Sequence, residues 1–272
     1  MKAQELFKVE GLGTLVTGAA SGIGLAIARV MADNGARVTL VDVNAAAWRE
    51  AVRSLAAGGA EVHGEVADVT DKQALERAVA AAIGRTGRLD VAFANAGISG
   101  GPGFLKADDQ RNAPAALENI SGELWDKVIE TNLSSVFKTL QVVAPRMKAQ
   151  GGGSIVVTGS ISALRAELYV GTPYVASKAG VAHLVRQAAL ELARYNVRVN
   201  AIAPGPAITN IAGGRLQDPA ARAPFERTSP MHRIATPEDL CGAALYLASP
   251  AASFVTGATI VVDGGAALGA AD

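Results

Sequence analysis

Seven short runs rich in β-branched residues recur along the chain, and longer alanine-rich segments of helical period separate the first four and several of the rest. The runs are TLVTG (14–18), ARVTLVD (36–42), EVHGEVAD (61–68), LDVAFANAG (89–97), SIVVTGS (154–160), VRVNAIAP (197–204) and ATIVVDGG (258–265). Strands separated by helices cannot pair through tight hairpins. They join by right-handed crossovers into a parallel sheet covered on its faces by the helices. The pattern predicts helices from Ser21 to Ala32, closed by Gly35, and over 45–57, and another after Thr70 as a cap. About seven strands with six or so helices account for the 272 residues as one α/β domain spanning 1–272. No linker, repeat or low-complexity block interrupts it.

Composition narrows the function. Half the residues are hydrophobic, enough for a sizeable core, and 25 basic residues balance 25 acidic ones. A neutral chain lacks the basic footprint expected of a nucleic-acid or anionic-membrane binder. The N-terminal stretch has no long apolar core of a signal peptide, and no run approaches the roughly 18 apolar residues of a membrane span. Cys241 is the only cysteine, which excludes an internal disulfide, and its setting reads as a packed helix thiol. A cytoplasmic address is expected by default.

Two segments resist assignment to regular elements. Residues 99–120 are polar with Gly and Pro, and residues 204–239 follow the sixth strand. Loops this long inside a compact domain serve as lids, binding loops or oligomer contacts. Both follow C-terminal strand ends, where open α/β sheets bind ligands, so substrate loops are expected at about 99–120 and 204–236.

The first strand runs into TGAASGIG (17–24) and then a helix. Gly18, Gly22 and Gly24 permit a tight turn and close backbone approach, and the helix N-terminus offers unpaired N–H groups to a pyrophosphate. Alone, such glycines also fit a plain turn. Here a strand precedes them, and Asp42 ends the next strand, where a dinucleotide-binding unit places an acid on the adenosine ribose. Asp42 could otherwise cap the following helix. A 2′-phosphate there would meet a carboxylate, and no neighbouring base offsets it: the turn has Ala20 and Ser21, Val43 and Asn44 follow, and Arg37 starts the strand at its far end. NAD is therefore expected over NADP.

With these features on the page, the chain resembles the short-chain dehydrogenase/reductase family, in its compact branch. The resemblance rests on TGAASGIG, Asp68 with Val69, NAG (95–97), Asn132 in ETNLSSVF, Ser160, YVASK (174–178), PG (204–205) with Thr209, and VDGG (262–265). It implies a Rossmann-like doubly wound parallel sheet. It also implies that Gly18, Ser21, Gly22, Ile23 and Gly24 hold the pyrophosphate side, Asp42 the ribose, and Asp68 and Val69 the adenine. Asn95, Ala96 and Gly97 would lie along the cofactor, with Pro204 and Gly205 near it. Lys178 would hold the nicotinamide ribose and Thr209 the carboxamide. The family's usual assembly is a homotetramer. Two departures stand out: segment 99–120 is longer than usual, and His232 occupies a position where a small residue is common. His232 is read as a surface or packing residue, His183 as packed on a helix, and His63 as remote.

Tyr174 and Lys178 stand one helical turn apart and share a face. A tyrosine ordinarily ionises near pH 10, so acting as a base near pH 7 requires a shift worth roughly 4 kcal/mol. An ammonium at about 4 Å supplies about that much at an effective dielectric near 20. At longer range it falls short, and a positively charged nicotinamide would have to contribute. Tyr174 would then exchange a proton with a secondary alcohol or its ketone, Ser160 would orient the reacting oxygen, and Asn132 would support Lys178. Tyr174, Lys178, Ser160 or Asn132 taken singly also fits a structural role. No metal enters this scheme. A methyltransferase has no use for the Ser–Tyr–Lys set, and a hydrolase elbow G-x-S-x-G is missing. The rival from another class is an NAD-binding regulatory or scaffold protein. The partner is then a small-molecule alcohol or ketone, with sugars and polyols among the candidates, bound by parts of 97–120, 161–171 and 204–233, including Leu164, Arg165, Glu167, Leu168, Tyr169, Arg215 and Phe225.

Overall fold

The computed structural model describes residues 2–106, 108–227 and 229–269. Its strands are β1 Gly13–Thr17, β2 Arg37–Asp42, β3 Val62–Val66, β4 Val91–Ala94, β5 Gly153–Thr158, β6 Val197–Pro204 and β7 Thr259–Val262. All pair in parallel in the order β3-β2-β1-β4-β5-β6-β7. Each expected strand is present, trimmed at its ends. The chain winds outward from β1 to β3, then returns to place β4 on the other side of β1. The crevice between the ends of β1 and β4 is thus the topological switch point, where such sheets take ligands.

The helices are α1 Ala3–Leu6, α2 Gly22–Asp33, α3 Ala45–Ala56, α4 Lys72–Thr86, α5 Gly122–Ile129, α6 Ser135–Ala149, α7 Thr172–Leu192, the kinked turn α8 Ile211–Gly214, α9 Pro219–Arg227 and α10 Cys241–Ala248. A short π-helical segment, Glu130–Ser134, joins α5 to α6. Strand side chains alternate between two cores, which is why the runs are continuously apolar. Leu15, Ile155, Val157 and Val199 pack beneath α4, α6 and α7 with Leu75, Leu140 and Val185. Val16, Phe93, Val156 and Ile202 pack on the opposite face with Ile27, Met31, Leu55 and Leu247.

One cap differs from expectation. Asp71, not Thr70, caps α4, accepting from the N–H groups of Gln73 and Ala74. Thr70 spends its hydroxyl on Asp68, 2.8 Å away. Asn44 caps α3 in the same way, which leaves Asp42 free of that duty. The polar segment 99–120 folds as two short 3-10 turns, Ala113–Ala115 and Leu117–Asn119, with bridges Pro102↔Val170 and Leu105↔Arg111. The 204–239 segment carries α8 and α9 and is closed at its base by the bridge Ala207↔Ala235. Among the described residues, no helix is long and apolar enough to cross a membrane.

Candidate active site

A cavity of about 1300 Å³ opens along the C-terminal ends of β1, β2, β4, β5 and β6. At one end lies the glycine turn. Gly18 and Gly22 have φ of +63° and +54°, a left-handed region that side chains rarely adopt. Ser21 precedes α2 with no side-chain cap on the helix, so the first N–H groups remain available at the cavity wall. Ile23 also lines the wall. Gly24 does not. It is buried behind the turn, where a Cβ would stand 2.1 Å from Gly18 O and 2.5 Å from Asn95 Nδ2. Its part is to let the turn close upon itself.

Asp42 reaches the cavity and also ties the turn to β2. Its Oδ2 accepts from Ala20 N at 3.0 Å and its Oδ1 from Asn44 N at 2.9 Å. Arg37, at the other end of the strand, donates to Gly11 O and is committed there. Asp68 and Val69 line the same end. Asp68 is fixed by accepting from both the N–H and the hydroxyl of Thr70, whose carbonyl accepts from Lys138 Nζ at 2.7 Å.

Asn95, Ala96 and Gly97 leave β4 along the cavity floor. Asn95 joins three strand ends: its Nδ2 donates to Thr17 O and Gly18 O, and its Oδ1 accepts from Thr158 Oγ1 at 2.9 Å. Pro204, Gly205 and Thr209 complete the wall after β6. The methyl side of Thr209 would meet a Cβ on Gly22 at 3.3 Å, so the sixth-strand loop closes over the glycine turn.

At the other end the structure brings Ser160, Tyr174 and Lys178 onto one wall. Ser160 ends the approach from β5 and is held by Ser162, which offers it an N–H at 3.1 Å and an acceptor oxygen at 3.1 Å. Pro173 stands in the first turn of α7, so the helix starts just before Tyr174. Lys178 Nζ donates to Thr158 O at 2.8 Å and lies 5.6 Å from the Tyr174 ring centroid. Burial pushes Lys178 down to about 8. Burial also pushes the Tyr174 phenol above its ordinary value; hydrogen bonding to Ser160 pulls it back and the Glu167 charge raises it further. Lys178 therefore does not by itself prepare a tyrosinate here, the weaker of the two cases weighed from spacing.

Asn132 sits elsewhere than on the cavity wall. It is fully buried in the π-helical segment, where its Oδ1 accepts from Ile98 N at 2.8 Å and its Nδ2 donates to Ile98 O and Ser177 Oγ. A side chain that matches both backbone groups of one residue acts as a substitute for strand pairing. It fixes the path of the chain leaving β4 and braces α7 beside Lys178. The direct partner of Lys178 is Thr158, which the sequence reading did not single out, although it is the last residue of its strand.

The substrate end is built from loops. Glu167, Tyr169, Phe225 and Arg215 line it, as expected; Leu164, Arg165 and Leu168 do not. Among the described residues of the long 99–120 segment, only Ser99, Gly101 and Pro102 reach the cavity. Leu105 and Asp109 of the same segment tie it to residues 168 and 169. Leu105 N donates to Leu168 O, Tyr169 donates its hydroxyl to Asp109 at 2.6 Å, and its ring meets Phe225 edge-on at 5.7 Å. His232 is exposed with φ of +51° and does not line the cavity; His183 pairs with Arg186 on α7; His63 lies on β3 beside Glu61. Cys241 is partly buried against Ala26 O, and burial pushes its thiol up.

Comparison with known proteins follows the same outline. A family model described as Enoyl-(Acyl carrier protein) reductase matches residues 18–267. "Dehydrogenase/reductase SDR family member 4" of Bos taurus is 37% identical over 92% of this chain and 85% of its own length. "D-threitol dehydrogenase" of Mycolicibacterium smegmatis is 37% identical over 97% of this chain and 98% of its own. The solved 7α-hydroxysteroid dehydrogenase complexed with NADH and 7-oxo glycochenodeoxycholic acid superposes with a TM-score of 0.86 at 34% identity, covering 97% and 98% of the two chains. From the glycine turn to the Tyr174 helix, on one parallel sheet, this chain belongs to the short-chain dehydrogenase/reductase family of oxidoreductases.

Proposed function

We propose that the protein is an NAD-preferring oxidoreductase that interconverts a secondary alcohol and its ketone, with Tyr174 as the proton donor and acceptor. The observation that supports this reading best is one continuous cavity carrying Gly18, Ser21 and Asp42 at one end and Ser160, Tyr174 and Lys178 at the other. The chain fits a dinucleotide on its own chemistry. Left-handed glycines and an uncapped helix N-terminus suit a pyrophosphate, and Asp42 offers acceptors to ribose hydroxyls and repels a 2′-phosphate. Bound there, a nicotinamide supplies the acceptor or donor of hydride.

The chain's residues handle the proton. Ser160 orients the reacting oxygen beside the Tyr174 hydroxyl. Tyr174, protonated in the cofactor-free chain, donates to a ketone in the reductive direction. In the oxidative direction it accepts the alcohol proton, which requires positive charge nearby. Lys178, with a pKa of about 8, still carries its proton at pH 7 and gives part of that charge. Asn132 keeps Ile98 and Ser177 in register, so the Tyr–Lys helix faces the cavity at a fixed height. Exposed Phe137 and Leu190 on the two long helices, with the open edge of β7, fit assembly with further copies of the chain, and a homotetramer is proposed.

Absorbance at 340 nm with NAD, and separately NADP, against a panel of secondary alcohols tests the reading. NAD-linked turnover is expected. NAD binding with no turnover of any alcohol or ketone would favour a regulatory or scaffold protein of the same fold.

A further inference from the structure

Glu167 belongs to the cavity wall, yet the chemistry above does not use it. Its side chain is only 8% exposed. A buried carboxylate is costly unless paired and hydrogen-bonded. Here its partners are distant. Oε1 accepts from Arg165 Nε at 3.3 Å and from Ser162 Oγ at 3.4 Å, and Oε2 accepts from Arg165 Nη2 at 3.4 Å. Strong charge-assisted bonds run about 2.7–2.9 Å, and a carboxylate has about four acceptor sites. Acceptor capacity is therefore left over.

The arrangement also has a direction. Arg165 does not line the cavity, and its Nη1 donates to Ala266 O, which anchors the guanidinium away from it. Glu167 lines the cavity and its charge acts on the Tyr174 phenol, whereas its counter-ion Arg165 is not on the wall. Ser162 connects Glu167 to Ser160 through hydroxyl hydrogen bonds, so the carboxylate sits two such links from the group that orients the reacting oxygen.

We propose that Glu167 determines substrate specificity: it accepts a hydrogen bond from a second hydroxyl of a neutral polyhydroxylated substrate whose reacting oxygen lies at Tyr174 and Ser160. This rests on the alcohol–ketone reading above. Because Arg165 already balances the charge, a neutral donor satisfies the carboxylate, whereas an anionic hydroxy acid would meet it with like charge in a desolvated wall.

The test is NAD-linked steady-state kinetics of wild type, Glu167→Ala and Glu167→Gln on 2-butanol, 2,3-butanediol, a four-carbon tetritol and 3-hydroxybutyrate. Truncation should lower the ratio of kcat/KM for tetritol over 2-butanol by about tenfold or more, mainly through KM, as expected for loss of a hydrogen bond to a charged group. Glu167→Gln, whose amide oxygen still accepts, should retain part of the preference and gain 3-hydroxybutyrate relative to tetritol. Ratios within about twofold of wild type in both folded variants would overturn the proposal, leaving Glu167 as a partner of Arg165. If Glu167→Ala does not fold, the Gln variant decides. Wild-type turnover of mono-alcohols without turnover of hydroxylated ones overturns this inference alone. No turnover of any alcohol or ketone with either cofactor overturns the reading beneath it as well.

Discussion

The two ends of the cavity are built on different principles. The glycine-turn end is made of strand termini and backbone. Gly18, Asp42 and Asn95 each close a hydrogen bond or a steric contact with a neighbouring strand end, Asp68 is held locally by Thr70, and little depends on loop conformation. The substrate end is made of side chains on three loops that meet only in space. Tyr169 joins Asp109 of one loop to Phe225 of another. Asp109, Ala212 and His232 hold left-handed backbone at φ of 62°, 54° and 51°. One end is fixed by the sheet; the other is free to change its lining while the sheet stays the same. Tyr174 and Ser160 stand at the boundary, where the fixed end must serve the variable one.

Four measurements would break or sharpen that contrast. The largest effect is expected at the boundary. Tyr174→Phe should lower kcat about 10³-fold, within the usual range for general acid–base groups, while the Kd for NAD by calorimetry changes little. Near-normal turnover would remove Tyr174 from the chemistry. Next comes Gly100→Ala, where the long loop touches the boundary. A Cβ there would stand 2.7 Å from both Tyr174 N and Tyr174 Cβ, so loop or helix must shift. A displaced catalytic group of this kind should cost about 10–100-fold in kcat, with cofactor affinity unchanged. Loss of NAD affinity instead would show that the two ends are not separable. Third, Asp42→Ala should shift kcat/KM toward NADP by about tenfold through removal of a like charge, a change confined to the cofactor end.

The smallest effect concerns stability. Burial holds the Lys178 pKa at about 8, below its ordinary 10.5. Between those values the unfolded chain binds more protons than the folded one, so this residue's contribution to stability rises with pH. The cost of burying charged Lys178 is full below pH 8 and is relieved as pH approaches 10.5. The Tm of wild type relative to Lys178→Met should therefore improve across that window. A flat or opposite trend would show that the ammonium is better solvated than its 4% exposure implies.

The expected strands were legible because a parallel sheet buried on both faces leaves an uninterrupted β-branched run, and each strand was found within a few residues. Helix caps were less legible: Thr70 and Asp71 are both good capping residues, and the choice fell to Asp71 because Asp68 captures the Thr70 hydroxyl. Spacing also placed Tyr174 beside Lys178 but not the distance between their reactive atoms. Asn132 was expected to support Lys178, but the sequence did not show that it does so by holding Ile98 and Ser177, and the burial of Gly24 against Gly18 was equally illegible. Thr158, Ser162 and the orientation of Glu167 carried no pattern of their own, since a lone Thr, Ser or Glu is common in any loop.

By itself, then, the sequence determined the parallel sheet, the strand–glycine turn–helix unit with its following acid, and the helical pairing of Tyr174 with Lys178. Each of these depends on local periodicity or on contacts between residues close in the chain. Only the tertiary structure decided which member of the Glu167–Arg165 pair lines the cavity and which part of segment 99–120 reaches the site. It also decided that Lys178 is held by Thr158. Those outcomes depend on desolvation and on contacts between residues far apart in sequence, such as Arg165 with Ala266 and Asp109 with Tyr169, and neither quantity exists until the chain has folded.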